Sequence, residues 1–341
     1  MTQTYRIFRN LNEAIDDAGG ALDRARQPWM FNRALWFAIA EKHTCDGAAL
    51  VIKAEAGTSA CWLFLDHDRA STHSLSNWYC LRYDIVTDGP SPPFEALVDG
   101  LRAAGISHIR LERTGPMEEF LSHLRQRGWL TRREETSVSW RIDTRGQSFS
   151  DYWTKRPSRL KNTYRRKAKK GELSCTIHRQ ITPQIWSHVT DIFDNCWKKP
   201  DGTPELTHDF FACEADAGTL RIGLAYREEQ PVAVQLWTIE DGVAIIHLLS
   251  YREDAKQLSA GTILTHHMFR HALDEEKVAM VDFGYGDHGY KRDWMDERVP
   301  LYSVTAYHAF SLSGLWAIGR MVWRKIRRRA PSISTVSGGR E

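Results

Sequence analysis

Between Ile245 and Tyr290 the chain passes through an apolar strand, a polar turn ending in Ser259-Ala260-Gly261-Thr262, a helix, a second short strand and a loop dense in glycine and ionisable groups. Val243 to Ser250 is an apolar run of strand length, and the periodic helix from Ile263 to Leu273 follows the turn. A helix start leaves backbone N–H groups unpaired, and small residues there let a phosphate or pyrophosphate approach. Lys256 adds a positive charge beside it. Ser-x-Gly at a helix start is also an ordinary cap, so the following segment matters. Val278 to Phe283 reads as a strand that releases Gly284 to Trp294 at its carboxyl end, where ligands of open sheets bind. Strand, phosphate loop and glycine-rich loop should therefore share one cleft.

The rest of the chain repeats this order. Its second half reads as a strand at 173–179, helices at 183–197 and 207–217, and strands at 220–226, 232–239 and 243–250. A helix from Ala260, the strand at 278–283, a short helical segment and a strand at 301–308 complete it. The first half reads likewise: a strand at 6–9, helices at 11–25 and 28–41, and strands at 48–53, 59–65 and 78–83. A helix at 94–104, a strand at 108–112, a helix at 117–128 and a strand at 136–142 follow. Two related α/β lobes with mixed α+β sheets are expected, over 1–150 and 151–310. Where the second lobe has its phosphate loop, the first has Asp88-Gly89-Pro90-Ser91-Pro92-Pro93, and three prolines remove the N–H donors a phosphate needs. The first lobe is expected to be non-catalytic and to shape the acceptor side of the cleft.

A chain of 341 residues, 42% hydrophobic, suits two domains with cores of their own. Six cysteines without a C-x-x-C pair and no signal-peptide pattern point to a reducing cytoplasm. No apolar run reaches the length of about 18 residues that a membrane span needs. The net charge of +3 is unevenly placed. Nine basic residues and no acid fall between Tyr152 and Gly171, six more between Arg320 and Arg329, and the remainder carries −12. That distribution suits anionic partners at two places and disfavours a body that coats nucleic acid. Tyr152, Trp153 and Tyr164 among the first cluster invite a single-strand RNA reading, against which stand the acidic body and basic residues all round the helix.

Leu312, Leu315, Trp316, Gly319, Val322, Trp323 and Ile326 form one helical stripe, with basic residues on the remainder. The segment 311–329 is thus expected to be an amphipathic basic helix that lies on a membrane surface or packs on the core, and 330–341 a disordered tail. Attachment would be peripheral, on the inner face of the cell membrane. His266, His267 and His271 share a helix without a companion ligand at metal-site spacing, so a solvated face and no metal are expected.

The element order, with a phosphate loop after the fourth strand, resembles the GNAT acyltransferase fold, and two copies in tandem resemble the FemAB-like arrangement. YWTKRPSRLKNTYRRKAKK (152–170), LSAGTILTHHMF (258–269) and VDFGYGDHGYKRDW (281–294) resemble a GNAT-like family found with bacterial cellulose and exopolysaccharide genes. The likeness spans Trp78 to His308. The run RPSRLKNT is also similar to bacterial ceramide synthases, which N-acylate a long-chain base with acyl-CoA. The glycine consensus of standard GNAT phosphate loops is incomplete, since QLSAGT (257–262) has one glycine. The resemblance implies an acyl-CoA-dependent N-acyltransferase, with a lipid acceptor such as a long-chain base as the leading expectation. An amino sugar or polysaccharide precursor, an aminoacyl-tRNA donor, or a non-catalytic membrane or nucleic-acid adaptor are the alternatives.

Amide formation needs a neutral amine, a polarised carbonyl and a protonated leaving group. His247, mid-strand beside the phosphate loop, is a candidate base and equally a core histidine. Asp282 and Asp287 are rival bases or ammonium-binding groups. The resemblance places at Tyr290 the tyrosine that protonates the leaving thiolate, a role that a phenol with a pKa of about 10 suits. Lys256, Gln257, Ser259, Ala260, Gly261, Thr262 and Lys291 are the candidate acyl-CoA contacts.

Overall fold

Thirteen strands form one continuous sheet in a computed structural model that describes residues 3–68, 71–196 and 203–309. In chain order the first half comprises β1 (Thr4–Phe8), α1 (Leu11–Ala18), α2 (Ala34–Thr44), β2 (Ala48–Ala56), β3 (Ser59–His67), β4 (Thr72–Ser74) and β5 (Val86–Asp88). It continues with α3 (Phe94–Ala103), β6 (His108–Thr114), α4 (Glu118–Gln126) and β7 (Trp129–Asp143). The second half begins with α5 (Phe149–Thr154) and α6 (Ser158–Ala168). There follow β8 (Ser174–His178), α7 (Pro183–Asp194), α8 (Pro204–Asp216), β9 (Leu220–Arg227), β10 (Gln230–Glu240) and β11 (Val243–Tyr251). The closing elements are α9 (Ala260–Arg270), β12 (Met280–Tyr285), α10 (Lys291–Trp294) and β13 (Glu297–His308). The repeated order expected from the sequence is present, with one local departure.

That departure is the segment 78–83, expected as a strand. The Asn77 side chain accepts hydrogen bonds from the N–H groups of Tyr79 (2.8 Å) and Cys80 (3.2 Å), which bends the backbone into a turn. Only Tyr83 bridges to a neighbour, Thr114, and β4 and β5 pair with β3 instead. The apolar residues of this segment pack as cavity wall and core.

The sheet order is β1-β2-β3-β4-β6-β13-β7-β12-β11-β10-β9-β8, so the last strands of the two halves change places. β13 lies between β6 and β7, and β7 lies between β13 and β12. Each half is thus completed by a strand of the other. Side chains fasten the same junction. Glu240 at the end of β10 accepts from Arg24 and Arg33 of the first half, both at 2.8 Å, and Arg24 also reaches Glu214 at 2.8 Å. Arg33 is 3% exposed and also donates to the carbonyls of Gln27 and Pro28, so its charge is compensated on both sides. The apolar core runs across the junction too, with Phe31 and Trp36 packed against Phe210.

No helix of the described residues is long and apolar enough to cross a membrane. The expected amphipathic helix at 311–329 and the tail at 330–341 lie outside the described residues. His266 corrects the expectation of a solvated histidine face: it is buried, stacked on Tyr164 of α6 at 3.6 Å between ring centroids, because α6 covers that side of α9.

Removing one partner of a buried ion pair strands the other charge, at a cost of about 3 kcal/mol or more. Glu240→Gln is therefore expected to lower unfolding free energy by about 3 kcal/mol, measured by urea denaturation. A change below about 0.5 kcal/mol would show that Arg24 and Arg33 do not hold the halves together.

Candidate active site

β11 and β12 run parallel for only three residue pairs, Val243 with Met280, Ala244 with Val281 and Ile245 with Asp282, and then separate. Two features drive them apart. In the pairing of β10 with β11, Leu236 faces Leu248 and Trp237 faces Ile246, so His247 is an extra residue in β11. Such a bulge bends its strand and increases local twist. On the other side Asp282 is held towards β7: its carboxylate accepts from Ser139 Oγ (2.6 Å), Arg141 Nε (2.8 Å) and the Gly284 N–H (2.8 Å). Beyond the fork, the edge of β11 has no strand partner on the β12 side among the described residues, which leaves backbone donors available to polarise a carbonyl.

A cavity of about 1110 Å³ occupies the fork. Its walls come from the end of β11 (His247 to Tyr251), the start of α9 (Ser259 to Thr262), the loop after β12 (Tyr285, His288 to Lys291), one side of α6 (Arg159, Leu160, Thr163) and, from the first half, Trp78, Tyr79 and Leu81. The first-half wall is tied down by Tyr285, whose hydroxyl donates to the Trp78 carbonyl at 2.8 Å. The turn from Ser259 to Thr262 and the glycine-rich loop thus share one cleft.

Ser259 takes a left-handed conformation (φ 54°) and makes no side-chain cap to α9. A non-glycine residue in that region is strained, and here it sets the first turn of α9 against the cavity; its carbonyl takes the N–H groups of Thr262 and Ile263, while its side chain caps none. A methyl group added at Gly261 would meet Tyr251 and Leu249 at ordinary contact distance. Lys256 also reaches the cavity wall, with Glu253 as a loose partner at 3.4 Å. Gln257 faces away: its amide donates to the Asp254 carbonyl (2.8 Å), and its own carbonyl accepts from Lys167.

Three sequence candidates have other employment. Asp282 does not line the cavity and is buried with its acceptor sites in use, so it shapes the fork. Asp287 is also off the wall, held by Arg292 (2.8 Å) and Trp140 Nε1 (3.2 Å); the arginine draws its carboxyl below the usual range, which makes a poor base. Lys291 is 5% exposed and its ammonium donates to the carbonyls of Phe283 (2.7 Å), Gly284 (3.1 Å) and Tyr285 (2.7 Å). All three of its protons are spent on closing the loop, which leaves none for a phosphate. Burial pushes this lysine down to about 8, and the charge of nearby Asp282 partly opposes that shift.

His247 and Tyr290 do line the cavity, at opposite places. His247 lies at the floor, ringed by Phe31, Tyr79, Phe210 and Phe211, with Tyr79 parallel at 5.9 Å. Nε2 is 2.9 Å from Thr238 Oγ1, while Nδ1 is buried without a partner. This apolar setting pushes the imidazole down to about 3, far from the near-neutral pKa of an efficient general base. His247 is suited to accept or donate a hydrogen bond as a neutral ring. Tyr290 is 46% exposed at the mouth, edge-on to Phe283 and parallel to His288 at 5.9 Å. The cleft walls and nearby Tyr251 raise its phenol to about 12, so it stays protonated at neutral pH.

Sequence reasoning missed His288 beside Tyr290, and Asp293, which lines the cavity and holds Arg159 of α6 at 3.0 Å. His288 was legible as the remaining imidazole of the glycine-rich loop. The pairing of Arg159 with Asp293, 134 positions apart, carried no local signal. Among the described residues no group of three metal-ligating side chains occurs.

Two measurements test these assignments. Asp282→Asn removes a charge-assisted contact to Arg141 and should lower stability by about 2 kcal/mol in urea denaturation, whereas unchanged stability would contradict the clamp. Between pH 6.5 and 3 the unfolded chain protonates His247 while the folded chain refuses the proton. The native ring's contribution is full above pH 6.5 and lost as pH falls, at up to about 1.4 kcal/mol per pH unit. His247→Gln should flatten the acid limb of stability against pH over that window; an identical limb would refute burial of a neutral imidazole.

The sequence model of the acetyltransferase (GNAT) domain family matches residues 155–292, which include α6, the fork and the glycine-rich loop. No curated protein sequence matches the chain. Among solved structures, the C-terminal domain (DUF2156) of a protein assigned as a lysylphosphatidylglycerol synthetase from Agrobacterium fabrum is similar at 15% identity, with 92% of this chain and 96% of that one covered and a TM-score of 0.57. FemX is similar at 9% identity, covering 83% and 96%, with a TM-score of 0.53. A tandem GNAT protein from the clavulanic acid biosynthesis pathway is similar at 9% identity, covering 91% and 100%, with a TM-score of 0.50. At these identities the likeness is one of architecture, and the chain has the tandem GNAT-like α/β fold with a mixed sheet.

Proposed function

We propose that the protein is an acyltransferase that moves an acyl group from a phosphate-bearing carrier to an amine acceptor. The observation that carries this reading is the fork: unpaired strand edge, uncapped helix start and protonated Tyr290 converge on one cavity. Phosphates of the carrier lie at the start of α9, near Ser259, Ala260, Gly261, Thr262 and Lys256, and the acyl carbonyl lies against the free edge of β11. The amine nitrogen attacks the carbonyl carbon, the bond from that carbon to the carrier's sulfur or oxygen breaks, and the amine proton passes to His288 directly or through water. Tyr290 gives its proton to the departing atom. His247 orients the acyl or acceptor group at the floor as a neutral ring.

Of the two donor classes, an aminoacyl ester of RNA is favoured over acyl-CoA. α6, which borders the cavity through Arg159, Leu160 and Thr163, carries a run of basic residues on its other faces, and the Agrobacterium domain of the same fold is assigned to a protein whose name describes an aminoacylated phospholipid product. A lipid acceptor remains part of the proposal. A long-chain base giving ceramide is withdrawn, because neither the family match nor these structures point to it.

Purified protein offered radiolabelled lysyl-tRNA or palmitoyl-CoA, each with phosphatidylethanolamine vesicles, glucosamine or a long-chain base, separates the readings. Label transferred from tRNA supports the favoured donor. Transfer only from palmitoyl-CoA replaces it with the thioester, and no acceptor-dependent transfer under any condition overturns the proposal. Tyr290→Phe and His288→Ala should each lower kcat about 10²-fold with folding intact. Full activity in both would remove them from the chemistry.

A further inference from the structure

Beyond the cavity, on the far side of α6, lies a second groove of about 380 Å³, bordered by Trp153, Lys161, Tyr164, Arg165, Ala168 and Lys169. Its size falls within the ~300–1,000 Å³ typical of small-molecule sites. Residues four apart share a helix face, so α6 presents two ridges. Arg159, Thr163 and Lys167 form one: the first two line the cavity and Lys167 donates to the Gln257 carbonyl beside the phosphate loop. Lys161, Arg165 and Lys169 form the other, along the groove.

The charges of the second ridge are uncompensated. Most arginines elsewhere in the described residues have a carboxylate partner, yet among those residues Lys161, Arg165, Arg166, Lys167 and Lys169 have none. Lys161 donates one bond to the Thr154 carbonyl at 2.7 Å, leaving two protons. The groove's rings are fixed from behind. Tyr164 stacks on buried His266, and Trp153 packs on Phe149 at 5.8 Å and on Trp294 at 5.6 Å. Rings held rigidly at the back, with cations in front, match a planar base with attached phosphates. They do not match a bilayer, because among the described residues the exposed large hydrophobic ones are Tyr5, Leu35, Leu130 and Tyr290, none of them in this groove.

We propose that this groove is a nucleotide site that holds the carrier end of the acyl donor, the base on Trp153 and Tyr164 and, beyond the phosphates at the start of α9, a further phosphate on Lys161, Arg165 and Lys169. The inference rests on the acyl-transfer reading, because α6 then contacts both ends of one donor: reacting end at the cavity ridge, nucleotide at the outer ridge. Two donors share this chemistry, the nucleotide of CoA and the unpaired terminal nucleotides of an RNA.

Arg165→Glu/Lys169→Glu alters only exposed positions of the full chain, and circular dichroism with urea denaturation verifies its fold. Binding of CoA, of an RNA hairpin with a single-stranded 3′ end, and of phosphatidylglycerol vesicles is measured for both proteins between 50 and 300 mM salt. The expected result is wild-type binding to CoA or RNA that weakens at least tenfold in the double variant. For RNA the salt slope should also fall by about 1.4, at ~0.7 per lost phosphate contact. Whichever probe responds names the source. If wild type binds CoA or RNA and the variant binds equally well, the groove is refuted while the acyl-transfer reading stands. If wild type binds neither, the donor reading fails with it. Loss of vesicle binding alone refutes the nucleotide site in favour of a lipid surface.

Discussion

The separation of β11 from β12 after Ile245 and Asp282 is the constraint on which the site depends. Parallel neighbours in a sheet normally stay hydrogen-bonded, and parting them leaves polar backbone groups unpaired. The structure supports that cost from both sides. An extra residue, His247, bends β11, and Asp282 diverts β12 towards β7 through Ser139 and Arg141. Gly284, with φ +63° and with Leu81 and the Ile246 carbonyl where a side chain would have to stand, then starts the loop that Lys291 closes. What a ligand meets in the fork is therefore backbone held open in advance, which is how preorganised donors stabilise developing charge without reorganising.

Exchange of the last strands makes this fork a joint product of both halves. β7 belongs to the first half by sequence, yet it supplies the residues that clamp Asp282, the carbonyl of Val138 that accepts from Gly286 N–H at 2.8 Å, and Trp140 against Asp287. Trp78, Tyr79 and Leu81 close the opposite wall. Loss of the proline-blocked phosphate loop in the first half thus does not leave that half idle. The buried pairing of Arg24 and Arg33 with Glu240 keeps the wall in register with the floor, where Phe31 and Tyr79 meet His247.

The parts of the fold and site that were legible in the sequence are those with local signals. Strand and helix periods, the Ser-Ala-Gly-Thr turn and the glycine-rich loop all lie where pattern and spacing place them. Roles that depend on distant partners were not legible. Asp282 reads as a candidate base because nothing near it announces Ser139 or Arg141, and Lys291 reads as a phosphate ligand until three carbonyls are found around its ammonium. Residues 78–83 are apolar enough for a strand, but one Asn77 side chain outweighs propensity by capping two N–H groups. His247 lines the same cavity as the turn from Ser259 to Thr262, and its aromatic enclosure comes from α8 and the first half, which no window of neighbouring residues contains.

The cavity is electrically divided, and the division sorts the parts of a donor. Its floor is aromatic around a neutral imidazole; Tyr79, with a buried hydroxyl lacking a partner, has its phenol pushed well up by burial. Its mouth carries Arg159, Lys256 and the positive end of α9. A phosphate-bearing carrier lowers its energy at the mouth and raises it at the floor, whereas an uncharged acyl chain or a single polar tip is tolerated at the floor. Orphaned Nδ1 of His247 and the Tyr79 hydroxyl each forfeit about 1–3 kcal/mol while unpaired. A group that pairs with them would recover that cost, so under the proposed function discrimination between acyl or acceptor groups would reside at the floor, and recognition of the carrier at α9 and α6. Selectivity for the transferred group and affinity for the donor are thus separable in this fold, because different elements, with different electrostatics, control them.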